Sequence, residues 1–95
     1  MNEITVMIAD DEFHVRTLLR AIVKGLPGRV VGEVETGNDV FGLYSQVLPD
    51  LLLLDINMPQ KTGDMVIEEL IAAYPEARII MLTGVADSET VEKMH

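Results

Sequence analysis

An α/β fold with a parallel, doubly wound sheet is predicted for this chain by three observations. Apolar runs of strand length alternate with stretches of helical periodicity, and the alternation repeats four times in 95 residues. The run Leu51 to Leu54 is apolar on both alternating faces, as a strand covered on both sides must be. Strand–helix units in series imply right-handed crossovers and helices on both faces of the sheet.

Ile4 to Ala9 is a short, β-branched apolar run that stops at Asp10-Asp11-Glu12 and reads as a buried strand. Glu12 to Lys24 follows as a helix, with Phe13, Leu18, Leu19, Ile22 and Val23 on one stripe and Arg16 and Arg20 off it. Asp10 or Asp11 is expected to cap its start, and Gly25 with Pro27 stops it. Arg29 to Glu35 reads as a second strand, in which Gly32 marks a weaker or edge position. Thr36-Gly37-Asn38-Asp39 opens a second helix through Val40, Phe41, Leu43, Tyr44, Val47 and Leu48, closed by Pro49-Asp50. Leucine suits helices as well as strands, but Pro49 before Leu51 and the Asn57-Met58-Pro59 turn after it favour the strand. After a loop to Gly63, Asp64 to Tyr74 carries Met65, Ile67, Leu70 and Ile71 at helical spacing, and Pro75 ends it. Arg78 to Leu82 is a fourth strand with Ile79, Ile80 and Met81 inside, and Thr83-Gly84 leads to a fourth helix over Asp87 to His95.

A chain of this length builds one modest core. The hydrophobic fraction of 48% and charged fraction of 24% are those of an ordinary globule. Sixteen acidic residues against seven basic ones give a formal charge of −9. That balance opposes direct binding to nucleic acid or to an anionic membrane surface and suits divalent cations and basic partners. The absence of cysteine excludes a disulfide scaffold, a thiol nucleophile and a zinc–thiolate site, and fits a reducing compartment. No apolar run reaches the ~18–20 residues of a membrane span and no basic-then-apolar leader is present, so a cytoplasmic location is expected.

In an open parallel sheet the residues just past the carboxyl ends of the strands gather at one crevice, where ligands bind. Here those residues are Asp10 and Asp11 after the first strand, Asp55 at the end of the third and Thr83 at the end of the fourth. In a flavodoxin-like order, 2-1-3-4, the first and third strands are neighbours and the three carboxylates meet. Two such charges at ~4 Å repel by ~4 kcal/mol at an effective dielectric near 20, so a shared proton or a bound cation has to offset them. A cluster of hard oxygens with room for water favours Mg²⁺. Mg²⁺ brings phosphoryl chemistry within reach, with Asp55 as a candidate nucleophile and Thr83 as a hydroxyl donor. Each residue also has a plainer reading: Asp10 or Asp11 as helix cap, Asp55 as turn former, Thr83 as cap of the last helix. Their joint placement is what favours chemistry.

Asp10-Asp11-Glu12, Leu51 to Asp55 followed by Ile56-Asn57-Met58-Pro59 and Gly63, and Ile79 to Leu82 followed by Thr83-Gly84 together resemble the receiver domain of two-component response regulators, over essentially the whole chain. The resemblance implies a signalling module and not an enzyme, in which a sensor histidine kinase or phosphotransfer protein phosphorylates Asp55. It implies that Asp10 and Asp11 are the family's acidic pair, Thr83 its hydroxyl switch and Gly84 the small residue after it. Mg²⁺ would then be held by Asp11, Asp55 and the main-chain carbonyl of Asn57, with Asp10 acting through water, on a loop shaped by Pro59 and Gly63. The signal would leave through the fourth strand and helix toward an output domain, a partner protein or a second copy of the domain. The family's active-site lysine and aromatic switch residue belong to a fifth strand. The chain is accordingly read as one receiver domain over residues 1–95, incomplete at its C-terminus, with the fifth strand–helix unit missing and the fourth strand left as an apolar edge. Lys93, in the predicted fourth helix, does not replace that lysine. Taken as complete, the chain is expected to bind metal but to accept phosphate poorly.

A Mg²⁺-dependent phosphatase with an aspartyl nucleophile is the rival reading, but those enzymes need a second acid two positions on, where this chain has Asn57. A third is an interaction module with an unused pocket. His14 reads as a solvent-facing helix residue, Met58 and Met65 as core filler, and Glu68-Glu69 as a solvated face. Gly25 to Gly28 contains no nucleotide-binding glycine motif.

Overall fold

The alternation of periods is realised as seven elements in the computed structural model, which describes residues 3–82: β1 (Ile4–Ala9), α1 (Phe13–Lys24), β2 (Gly28–Val34), α2 (Gly37–Val47), β3 (Leu51–Asp55), α3 (Gly63–Ala73) and β4 (Ile79–Leu82). The four strands are all parallel, in the order β2-β1-β3-β4 that the sequence predicts. The two central strands carry the most apolar runs and are the most deeply buried, as strands flanked on both edges are. The predicted fourth helix, with Lys93, and the site residue Thr83 with Gly84 lie outside the described residues. Among the described residues, no helix is long and apolar enough to cross a membrane.

Side-chain alternation splits the core into two layers. Met7, Ala9, Leu52 and Leu54 point to one face and are sealed by Val40 and Tyr44 of α2 and Val66 and Leu70 of α3. Val6, Ile8 and Leu53 point to the other, where Val23 of α1 packs on them. At the amino ends of the strands the Asp50 carboxylate accepts from the Thr5 N–H at 2.8 Å and the Thr5 hydroxyl at 3.1 Å, tying the starts of β1 and β3 together. Those bonds draw the Asp50 carboxyl below the usual carboxylate range.

Gly32 sits in an edge strand, as expected, and the pairing of β1 with β2 slips beside it. Val6 pairs with Val30 but Met7 pairs with Gly32, leaving Val31 as a bulge. A Cβ on Gly32 would stand 2.7 Å from Leu43 of α2, so the side chain of α2 fills the space the glycine leaves.

The structure corrects several expectations. The buried line of α1 runs through Arg16, Leu19 and Val23, while Phe13, Leu18 and Ile22 are more than half exposed. A polar residue is thus on the inner face, and the physical reason is the set of partners described below. The cap position of α1 is Glu12, not Asp10 or Asp11, and no side chain caps it. On α3 the buried residues are Gly63, Val66 and Leu70, whereas Met65 and Ile71 face outward. Ile80, expected inside, is half exposed: paired with Leu53, it points to the α1 face from the edge strand β4. β2 begins and ends one residue earlier than predicted, and α3 starts at Gly63.

Candidate functional site

β1 and β3 are paired from Val6–Leu51 to Ala9–Leu54, so the next residue of each strand, Asp10 and Asp55, emerges at the same end of the sheet. Asp11 lies in the turn that carries the chain from β1 to α1. One carboxylate oxygen from each of Asp10, Asp11 and Asp55 lies within 4.8 Å of the other two. Asp10 and Asp55 are buried, 4% and 7% exposed, and Asp11 is open to solvent. This is the strand-end crevice predicted from the sequence, with one wall dry and one wet.

Local hydrogen bonds aim the two buried carboxylates. The Asp10 Oδ1 accepts from the N–H of Glu12 at 2.8 Å, so this aspartate serves the start of α1 from two residues upstream of the helix cap. Asp55 Oδ1 accepts from the N–H of Asn57 at 3.1 Å, which orients it across the β3–α3 turn. Burial, opposed by that N–H and reinforced by the charges of Asp10 and Asp11, raises the Asp55 pKa above the usual carboxylate range. Burial raises Asp10 as well, against the Glu12 N–H, while Asp11 and Glu12 add repulsion and Arg16 offsets part of it. Three carboxylates this close leave negative charge uncompensated within the protein. An oxygen-only donor set of this kind, partly open to water, fits a hard divalent cation such as Mg²⁺.

Asn57 itself is exposed at the rim, and Met58 behind it is buried, as core filler should be. The loop from Asn57 to Thr62 is gripped from α2. The N–H of Gly37 donates to the Pro59 carbonyl at 3.3 Å, and the Asn38 amide donates to Gln60 Oε1 at 2.7 Å. Gln60 takes a left-handed φ of 73°. A Cβ at Gly37 would collide with the Lys61 carbonyl, so only glycine lets α2 approach this loop. Gly63 is similarly confined, against the Ile56 and Asp55 backbone and the Met81 sulfur. Pro59 and Gly63 lie in and beside this loop, as the sequence suggests, whereas the part played by Gly37 and Asn38 carries no sequence signal beyond the opening of a helix.

Arg16, which the sequence places off the apolar stripe of α1, is buried against this site. Its Nη1 donates to the carbonyl oxygen of Asp10 at 2.8 Å, and its other nitrogens meet Glu35 at 3.3 Å and Glu33 at 3.4 Å. His14 is exposed, edge-on to Phe13, and belongs to no cluster of ligands among the described residues. Glu69 of the acidic run is bonded to Lys61 at 2.9 Å.

Comparison with known proteins agrees with this architecture. The family described as Response regulator receiver domain matches residues 6–95. The chemotaxis protein CheY of Listeria monocytogenes is 34% identical over 85 residues, spanning 90% of this chain and 71% of that protein. Among solved structures, the response regulator domain of Thermotoga maritima CheB superposes with a TM-score of 0.81 at 26% identity, over 98% of this chain and 72% of that one. RcsB from Salmonella enterica, solved bound to promoter P1flhDC in the presence of the phosphomimetic BeF3-, gives 0.79 at 28% identity, over 86% of this chain and 43% of that one. With a four-stranded parallel sheet in the order 2-1-3-4 and its acidic residues gathered at the carboxyl ends of the two central strands, this chain belongs to the response regulator receiver domains.

Proposed function

We propose that this domain accepts a phosphoryl group on Asp55 in a Mg²⁺-dependent reaction and passes the change on as a signal. The convergence of the Asp10, Asp11 and Asp55 carboxylates carries the reading. RcsB, a relative at 28% identity, was solved with a phosphomimetic, which supports an acceptor role for this family's strand-end aspartate.

The residues divide the work. Asp55 is the nucleophile: one carboxylate oxygen attacks phosphorus, the bond from phosphorus to the donor's nitrogen breaks, and an acyl phosphate forms while the donor imidazole leaves. The Asn57 N–H holds the other oxygen and keeps the carboxylate facing the crevice. Asp11, Asp55 and the Asn57 carbonyl would hold Mg²⁺ directly, with Asp10 acting through water. Bound there, the ion would supply charge neutralisation at the transferring oxygens and favour the ionised form of Asp55. Thr83 would take one phosphoryl oxygen and, in moving, reposition the strand and helix that follow. The donor is a sensor histidine kinase or a phosphotransfer protein, in the cytoplasm, and the output is a following domain, a partner protein or a second copy. At position 57 an asparagine stands instead of the acid that turnover of phosphate esters would require, so the domain acts as an acceptor and not as a phosphatase.

The test is exposure of the 95-residue chain to a small phosphodonor such as phosphoramidate, read by intact-protein mass. Slow, partial addition of one phosphoryl group with Mg²⁺, and none with chelator or in Asp55→Asn, is expected. Labelling that persists in Asp55→Asn, or hydrolysis of an aryl phosphate that depends on Asp55, overturns the reading.

A further inference from the structure

α1 turns a charged side chain inward, and what that charge touches is the peptide between two candidate metal ligands. Arg16 is 8% exposed, in a chain whose other buried charged residues among those described are Asp10 and Asp55. Burying a guanidinium is costly unless its donors are satisfied, and here three nitrogens are engaged. Nη1 reaches the Asp10 carbonyl, Nη2 reaches Glu35 just past β2, and Nε reaches Glu33 within β2. Glu33 is braced in turn by Arg20 at 3.2 Å, and the Phe13 ring lies 5.8 Å from the Arg16 guanidinium carbon. The guanidinium is planar and its donors are fixed relative to one another, so anchoring two of them on Glu33 and Glu35, in β2 and just past it, fixes the third. That third donor holds the carbonyl of Asp10, whose carboxylate faces Asp55 and whose next peptide leads to Asp11.

We infer that Arg16 is a positioning residue for metal binding: from behind the crevice it locks the Asp10–Asp11 peptide so that both carboxylates face Asp55. The inference rests on the proposed function, since it concerns the same site. Partners that orient metal ligands without touching the metal change affinity by about 10–100-fold when removed.

Calorimetric titration of the full chain with Mg²⁺, at a temperature where circular dichroism shows each variant folded, tests it. Arg16→Met is expected to weaken Mg²⁺ binding about tenfold, and Arg16→Lys, which keeps the charge but not the fork, to fall between the two. In phosphodonor assays the Mg²⁺ concentration for half-maximal rate should rise in parallel, with the rate at saturating Mg²⁺ nearly preserved; a merely structural role would leave both constants of the folded protein unmoved. A folded Arg16→Met that binds Mg²⁺ within about twofold of the unsubstituted chain overturns the inference alone. Should Arg16→Met not fold, the same result in Arg16→Lys overturns it. If the unsubstituted chain itself fails to bind Mg²⁺, the proposed function falls, and this inference with it.

Discussion

On the sheet face that carries α2 and α3, Met7, Ala9, Leu52 and Leu54 are fully buried under Val40, Tyr44, Val66 and Leu70. On the face that carries α1 the buried set is Val6, Ile8, Leu53 and Val23, while Ile80, Leu18 and Ile22 are each about half exposed or more. Where α2 presents valine and tyrosine to the sheet, α1 presents an arginine. One face is therefore held mainly by apolar burial, which is non-directional and which salt does not screen. The other is held in part by a directed network, Arg16–Glu33–Arg20 with Glu35, whose geometry matters more than its area. The network ends on the backbone of the acidic crevice, so the face with the polar brace is also the one tied to the site.

Equal costs for truncations on the two faces would mean that they are held in the same way. Leu54→Ala, at a fully buried position, is expected to lower unfolding free energy by about 3–4 kcal/mol, and Ile80→Ala, half exposed on the α1 face, by about 1 kcal/mol or less. Denaturant melts of the two variants measure the difference directly.

A smaller effect, of opposite sign, is expected at the rim where the faces meet. Burial raises the Asp55 pKa, so the folded chain holds that proton more tightly than the unfolded chain. Stability contributed this way is present at low pH and is lost as pH climbs from the ordinary aspartate value of 3.8 through the raised one. Asp55→Asn, metal-free at pH 7, should raise Tm by a few degrees, about 4–8 °C for each kcal/mol of repulsion relieved in a domain of this size. Thermal melts repeated below pH 3.8 should show the gain disappear, and the opposing loss from the depressed Asp50 carboxyl should be common to both proteins.

The smallest effect is expected in the ion-pair network of the α1 face. Glu33→Gln leaves the apolar core untouched and should cost about 1 kcal/mol at low salt, shrinking as salt is raised, because the network is partly open to water. Paired melts at low and high ionic strength read it out; Leu54→Ala should show no such salt dependence.

The strands and the acidic crevice were legible in the sequence because apolar runs end abruptly at acids, and the strand order came with the flavodoxin-like arrangement expected of four strand–helix units in series. With the first and third strands as neighbours, Asp10, Asp11 and Asp55 have to meet at one end of the sheet. Arg16 could not be placed in this way. Hydropathy sorts an arginine outward, and nothing local signals that Glu33 and Glu35, seventeen and nineteen residues on, will satisfy it. The same rule misplaced Phe13, Leu18 and Ile22, since a helix with apolar residues around more than half its girth has no unique inner stripe. Gly37 is a related case: its closeness to the Lys61 carbonyl is a tertiary fact that reads locally as helix opening.

The extra residue at Val31 sets the parity of everything after it in β2. Counted straight through from the Val6–Val30 pair, Glu33 would stand opposite Ala9, its carboxylate driven into the sealed interior beneath α2. Shifted by one, Val34 takes that place and Glu33 comes opposite Ile8, on the side where Arg16 and Arg20 wait. A single odd residue at the sheet's margin thus decides whether an acid is a fault in the interior or the keystone of a polar brace, and shortening β2 by that one residue would invert the two.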